Sequence, residues 1–156
     1  MNIQLDGDRV FASSSLIQLG EVRVWTLGPT GEVYCDALPS STGSGARISV
    51  SSCNSVAGGV LQLRAGPVPE QPGLFYMGTF SVQVPFGGSY RCVGGTTHRL
   101  GVISLAGREL VQQIDLDAPG SHFTSVSNWY LQAWFRNPGL RGSTFSLSDA
   151  VAVRFL

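Results

Sequence analysis

His98 and His122 are the only histidines in the chain, and with Cys35, Cys53 and Cys92 they are the side chains from which nucleophilic or metal chemistry would be built. Nucleophilic catalysis needs a serine or cysteine within reach of a base. His98 stands in Thr96-Thr97-His98-Arg99, beside an expected strand end, and His122 in the expected loop Pro119-Gly120-Ser121-His122. No G-x-S-x-G elbow accompanies them. They read as two isolated loop histidines, exposed or hydrogen-bonded. Three widely spaced cysteines without a C-x-x-C or H-x-x-x-H pairing do not compose a zinc site. One disulfide plus an odd thiol is the preferred reading, with three reduced, buried thiols as the alternative. Asp6 and Asp8 resemble half of a calcium loop but bring two side-chain ligands and no later bidentate glutamate, so a turn is expected there. Asp115 and Asp117 would share one face of a continued strand, yet paired carboxylates work only in a cleft that nothing else marks. No metal and no cofactor are expected, and an enzyme, as a hydrolase, ranks behind binding and structural roles.

The aromatic residues are more suggestive. Along 128–136, strand alternation puts Trp129, Leu131, Ala133 and Phe135 on one face and Tyr130, Gln132, Trp134 and Arg136 on the other. The first face reads as core. The second mixes flat rings with planar hydrogen-bonding groups, which suits either stacking on a sugar or packing under a covering layer. Tyr130, Gln132 and Trp134 are therefore the candidate binding contacts. Arg136 closes this strand and Asp149 opens the next, expected at 150–155. A hairpin across 137–148 would let guanidinium and carboxylate meet at one end of the sheet as a structural pair. The functional alternative, Arg136 holding an anionic ligand, lacks an assured second basic residue beside it.

These groups need elements to hold them, and the rest of the chain reads as strand and turn. Val22, Val24 and Thr26 alternate with Glu21, Arg23 and Trp25, and the turn residues Gly28-Pro29-Thr30-Gly31 then lead to Val33-Tyr34-Cys35, which predicts a hairpin. Period-two segments follow at 47–51, 60–65, 74–80, 82–86, 110–116, 128–136 and 150–155, with glycine- and proline-rich breakers between them. Residues 103–116 are the most helix-like stretch, but their second half alternates and is expected as a strand. Residues 40–45 are a flexible loop by composition. Asp6-Gly7 suits a tight hairpin turn, so residues 1–20 are expected as an N-terminal hairpin or arm, and residues 21–156 as a single domain. The fold class is all-β, an antiparallel β-sandwich or jelly roll.

Composition narrows the partners. The ten basic residues, all arginine, cancel ten acidic ones with no run of either sign, so the footprint of a nucleic-acid or anionic-membrane binder is missing. No stretch approaches the 18 or more apolar residues of a membrane span, so membrane insertion is not expected. The first residues show neither a basic n-region nor an apolar h-region, and no signal peptide is expected within this sequence.

One set of motifs has a familiar order. It comprises Gly31-Glu32-Val33-Tyr34-Cys35, Ala46-Arg47-Ile48-Ser49, Gly73-Leu74-Phe75-Tyr76-Met77-Gly78, Tyr90-Arg91-Cys92-Val93-Gly94-Gly95, Leu131-Gln132-Ala133-Trp134-Phe135-Arg136-Asn137 and Phe145-Ser146-Leu147-Ser148-Asp149-Ala150-Val151. Over about residues 22–156 the series resembles an uncharacterised domain that recurs at the C-termini of large secreted or surface-associated bacterial proteins. The resemblance implies a secreted or cell-surface location and modularity, and no enzymatic activity. It also implies a Cys35–Cys92 disulfide, which leaves Cys53 as a buried free thiol. Asn137 departs from the family-like ending, which has an aspartate there. The expected function is a non-enzymatic extracellular structural or recognition module that binds a glycan or a protein at the cell surface. The alternative is a self-associating subunit that uses its N-terminal arm for strand addition.

Overall fold

The structure, a computed structural model, describes residues 2–6, 9–13, 23–26, 31–51, 59–103, 105, 107–124 and 126–155. They form thirteen strands: β1 (Asn2–Asp6), β2 (Arg9–Ser13), β3 (Arg23–Thr26), β4 (Glu32–Tyr34), β5 (Arg47–Ser51), β6 (Val60–Gly66), β7 (Gly73–Gly78), β8 (Phe80–Phe86), β9 (Ser89–Gly94), β10 (His98–Ile103), β11 (Leu110–Asp115), β12 (Asn128–Arg136) and β13 (Phe145–Arg154). Every pairing is antiparallel. The all-β sandwich expected from the strand signals is what forms, and among the described residues no helix is long and apolar enough to cross a membrane.

A five-stranded sheet in the order β10-β7-β12-β13-β4 is the central layer. One face packs on the three-stranded sheet β11-β6-β5. Phe75, Met77, Leu131, Ala133, Phe135, Val151 and Val153 meet Ile48, Leu61, Leu63, Ala65 and Leu110 there, all buried. Burying a side chain such as Phe75 or Leu63 contributes roughly 1.5–3 kcal/mol. The other face is partly covered by the hairpin β8-β9, over a second cluster that holds Tyr76, Cys92, Val93, Leu147 and Ala150 with Tyr34, Tyr90, Tyr130 and Trp134 at its margin. Coverage on both faces explains why β7 and β12 alternate two kinds of buried residue, where a half-exposed strand would alternate apolar with polar.

The covering hairpin depends on its glycines. Gly87 and Gly88 both have positive φ (55° and 76°) and link Phe86 to Ser89 as a two-residue turn of the type that matches strand twist. A Cβ on Gly87 would also lie 2.1 Å from the Phe145 ring. At the far end Gly78 lets β7 pass under β9, where a Cβ would lie 2.4 Å from the Gly94 carbonyl oxygen. The chain turns out of the central sheet there through Thr79 alone.

Several expectations are corrected by the strand pairing. The expected hairpin between 22–26 and 33–35 does not form: β3 pairs with β2, whereas β4 pairs with β13, Val33 opposite Val151. Local turn chemistry is outweighed by a place at the edge of the central sheet. The expected β1–β2 hairpin is present, with Asp6 opposite Arg9, but β3 joins it in a separate three-stranded sheet. Strands β9 and β10 are not among the expected period-two segments. In β10 the cause is visible: Gly101 (φ 98°) stands in a register shift between Arg99 and Val102 that breaks the alternation. The last strand starts at Phe145, five residues before the expected 150. The 40–45 loop is pinned by turn bonds from Gly43 N–H to the Ser40 carbonyl and from Ser40 N–H to the Ser44 carbonyl. Ser41 N–H also reaches Asn137 Oδ1 at 3.3 Å. Cys53 lies outside the described residues, as do Gly7 and Asp8.

The Cys35–Cys92 disulfide, implied by the family-like motifs, is present and ties the chain just after β4 to β9, with Cα atoms 6.2 Å apart and a sequence separation of 57. Closing a loop of that length constrains the unfolded chain by up to about 4 kcal/mol in the entropic account. A Cys35→Ser/Cys92→Ser double variant should therefore lose about 2–4 kcal/mol in urea unfolding. An unchanged midpoint would show that the bridge is mechanically redundant.

Candidate functional site

Of the three candidate contacts on β12, Gln132 is not a surface group. It is fully buried, and its carboxamide is satisfied entirely within the protein. Its Oε1 accepts hydrogen bonds from the Tyr76 hydroxyl and from Cys92 N–H (3.0 Å). Its Nε2 donates to the carbonyls of Tyr90 (2.9 Å) and Ser148 (2.6 Å). The carboxamide thus docks on β9 as one residue of an adjacent parallel strand would, holding the N–H of one residue and the C=O of the residue two before it. Tyr34 adds a third tie, its hydroxyl donating to the Cys92 carbonyl at 2.7 Å. Burial, with Tyr130 nearby, raises the Tyr34 pKa; burial also raises that of Tyr76, against the opposing charge of Arg91. Both phenols stay neutral donors at ordinary pH.

The Ser148 carbonyl is free for Gln132 because β13 bulges. Gln132 pairs with Ala150 and Trp134 with Leu147, so Ser148 and Asp149 together oppose Ala133. Ala133 N–H is taken by Ser148 Oγ at 3.0 Å, and that hydroxyl donates to the Asp149 carbonyl at 2.6 Å. Asp149 turns toward the opposite sheet, where its N–H donates to the Ala46 carbonyl (3.1 Å) and its Oδ1 accepts from Ile48 N–H (2.7 Å). The expected Arg136–Asp149 pair is therefore absent. Arg136 stands opposite Phe145, four residues from Asp149, a separation of about 13 Å along a strand. The carboxylate instead clamps the start of β5. Asn137 plays the comparable part at the far end, buried, with Nδ2 donating to Ser146 Oγ at 2.7 Å.

Beside the β8-β9 hairpin the second face of the central sheet stays open as a cleft of about 600 Å³. Cross-strand registers build it: Val102, Leu74, Trp134 and Leu147 form one row of the floor, and in the next row Tyr76 lines the cleft, Arg99 stands exposed beside it at the rim and Gln132 is buried under the hairpin. Trp134 is half-buried, and Phe145 stacks on it at 5.8 Å and 28°, which fixes the ring. Arg91 enters from β9, its guanidinium 6.0 Å from the Phe86 ring centre, and Arg136 stands at the far end. Trp134 is thus the one candidate contact that lines the cleft. Tyr130 is half-buried and packs edge-on against Tyr34 at 5.7 Å, outside it. Arg91 and Arg99 were not singled out in the sequence because they sit in the two strands that periodicity missed.

The histidines are not isolated. His98 and His122 stack at 3.6 Å and 20°, with Trp129 edge-on to His98 at 6.1 Å, so the loop after β11 is held against β10. Asp115 and Asp117 do not share a strand face: β11 ends at Asp115, whose Oδ1 accepts the Asp117 N–H at 2.9 Å in a turn. Among the described residues no group of three histidine, cysteine, aspartate or glutamate side chains is placed to hold a metal ion. No family model, curated protein or solved structure matches the chain.

Gln132→Leu should cost at least about 3 kcal/mol, because four partner groups lose their bonds at roughly 1–3 kcal/mol for each one left buried and unsatisfied. A loss below about 1 kcal/mol, read by urea unfolding, would contradict the hub.

Asp149 gives a pH signature. Burial raises its pKa, with the Ile48 N–H bond and the Arg47 charge acting the other way. A folded-state pKa above the unfolded one means that the native state binds more protons between the two values. Stability therefore falls as pH rises through that window and recovers as pH drops back through it. Asp149→Asn, which keeps the Oδ1 acceptor, should be at least as stable as the parent at neutral pH and lose that advantage below the unfolded pKa. Thermal melts of both proteins across the acid range test this, and parallel profiles would refute it.

Proposed function

We propose that this chain is a non-enzymatic recognition module of a secreted or cell-surface protein, and that the cleft beside the β8-β9 hairpin binds a glycan with Trp134 as its platform. The observation that carries this reading is the aromatic floor. A half-buried indole, held in place by Phe145 and flanked by Tyr76, presents a rigid surface of the kind on which sugar rings stack. The lining offers no carboxylate, histidine or cysteine to serve as base or nucleophile, which supports binding over turnover. A disulfide inside the second cluster supports an oxidising compartment, in keeping with the family-like motifs.

Titration of the full chain with an oligosaccharide panel, followed by calorimetry and indole fluorescence, tests the proposal. At least one glycan should bind, and Trp134→Ala should weaken it several-fold, as expected from about 0.5–1.5 kcal/mol of ring stacking. Near-ultraviolet circular dichroism separates loss of contact from loss of fold. No binding by any glycan, or binding unaltered in a folded Trp134→Ala variant, would overturn the assignment.

The rival, a self-assembling subunit, draws on the separate sheet formed by β1, β2 and β3. Size-exclusion of the full chain and of a variant lacking residues 1–26 distinguishes the two: an oligomer that dissociates on truncation favours the rival.

A further inference from the structure

We infer that the glycan taken by this cleft is acidic, carrying carboxylate or sulfate groups on its rings. The inference rests on the glycan reading above and extends it from a platform to a charge requirement. Arg91, Arg99 and Arg136 come from three different strands, β9, β10 and β12, and converge on one cleft that contains no acidic side chain. The only salt bridge among the described residues is Arg64–Glu109, on another sheet, so none of the three guanidiniums is paired with a described carboxylate. With ten arginines against ten acidic residues overall, the excess is local to this face. That locality is what a ligand site needs and what a general polyanion binder lacks.

The sheet register sets the spacing of the charges. Arg99 stands in the Tyr76 row and Arg136 beyond the Trp134–Leu74 row, opposite Pro72. Four residues along the strands and two strands across separate their Cα atoms by about 16 Å. A ring lying on Trp134 and Leu74 therefore has a guanidinium beyond each end, and Arg91 approaches from the hairpin above. A lone small anion would engage one side of this arrangement and leave the aromatic floor bare. A saccharide with acidic groups on successive rings uses both. Guanidinium forks match carboxylate and sulfate oxygens with paired hydrogen bonds, and a neutral sugar would cover three cations without pairing them. An acidic peptide is the poorer fit, because the floor strands β7 and β12 are each paired on both edges and have no backbone groups left for strand addition.

The test titrates the full chain with a uronate tetrasaccharide, the same compound after carboxyl reduction, a sulfated tetrasaccharide and a glutamate tetrapeptide. At least one acidic saccharide should bind about tenfold or more tightly than the carboxyl-reduced compound, since each lost charged hydrogen bond is of that order. Its affinity should fall as salt is raised. Whether the uronate or the sulfated compound binds identifies the acidic group. Arg99→Ala and Arg136→Ala, both at exposed side chains, should each remove most of the difference without altering the thermal melt. Equal binding of the uronate and carboxyl-reduced compounds would overturn the charge requirement and leave the glycan reading standing. Tighter binding of the peptide would overturn the requirement for a sugar, and no binding by any saccharide would remove both.

Discussion

A carboxamide sealed inside a protein must have all its hydrogen bonds met there, and Gln132 meets its four through partners on three other strands. The remainder of the second face follows from this constraint. The β8-β9 hairpin forms no ladder with the central sheet, so without the carboxamide its attachment would rest on packing, the Tyr34 hydroxyl, the Cys35–Cys92 bridge, an exposed Gln83–Asp36 bond and the Ser89 hydroxyl that accepts Leu147 N–H. Packing alone is nondirectional and would let the hairpin slide. Directional bonds to consecutive groups of β9 fix its height and register above the sheet, and so fix how much of that face remains uncovered.

The bulge in β13 makes the hub feasible. An extra residue in a strand normally leaves polar groups without partners, yet here the Ser148 hydroxyl and carbonyl serve Ala133 and Gln132, and the Asp149 carboxylate serves β5. The same irregularity therefore joins all three layers. It turns one side chain toward the opposite sheet and one carbonyl toward the hairpin, which an uninterrupted strand with strict alternation could not do.

The cleft is what remains once these ties are made. Its floor lies largely on central strands paired along both edges and its charges on exposed arginine side chains at the rim, so a ligand of the proposed kind would meet a fixed ring and long cationic side chains. That division suits recognition, in which stacking needs fixed geometry and long cationic side chains adapt to where the ligand's charges fall.

Local pattern in the chain suffices for the strand inventory in outline, the alternation of β12 and the lack of a recognisable catalytic motif, because each depends on period two, turn residues and side-chain types. It assigned Trp129, Leu131, Ala133 and Phe135 to the core face, and Trp134 to the face that carries the cleft. What it left undecided depends on register and layer order. Gln132 and Trp134 have the same alternation, yet the hairpin lies over one and leaves the other at a cleft. Arg136 and Asp149 look like hairpin partners until the bulge and four residues of offset separate them. Arg91 and Arg99 join Arg136 only because β9 and β10, remote from β12 in sequence, pack around the same face. Such meetings are set by long-range pairing and packing, which no local window of residues encodes.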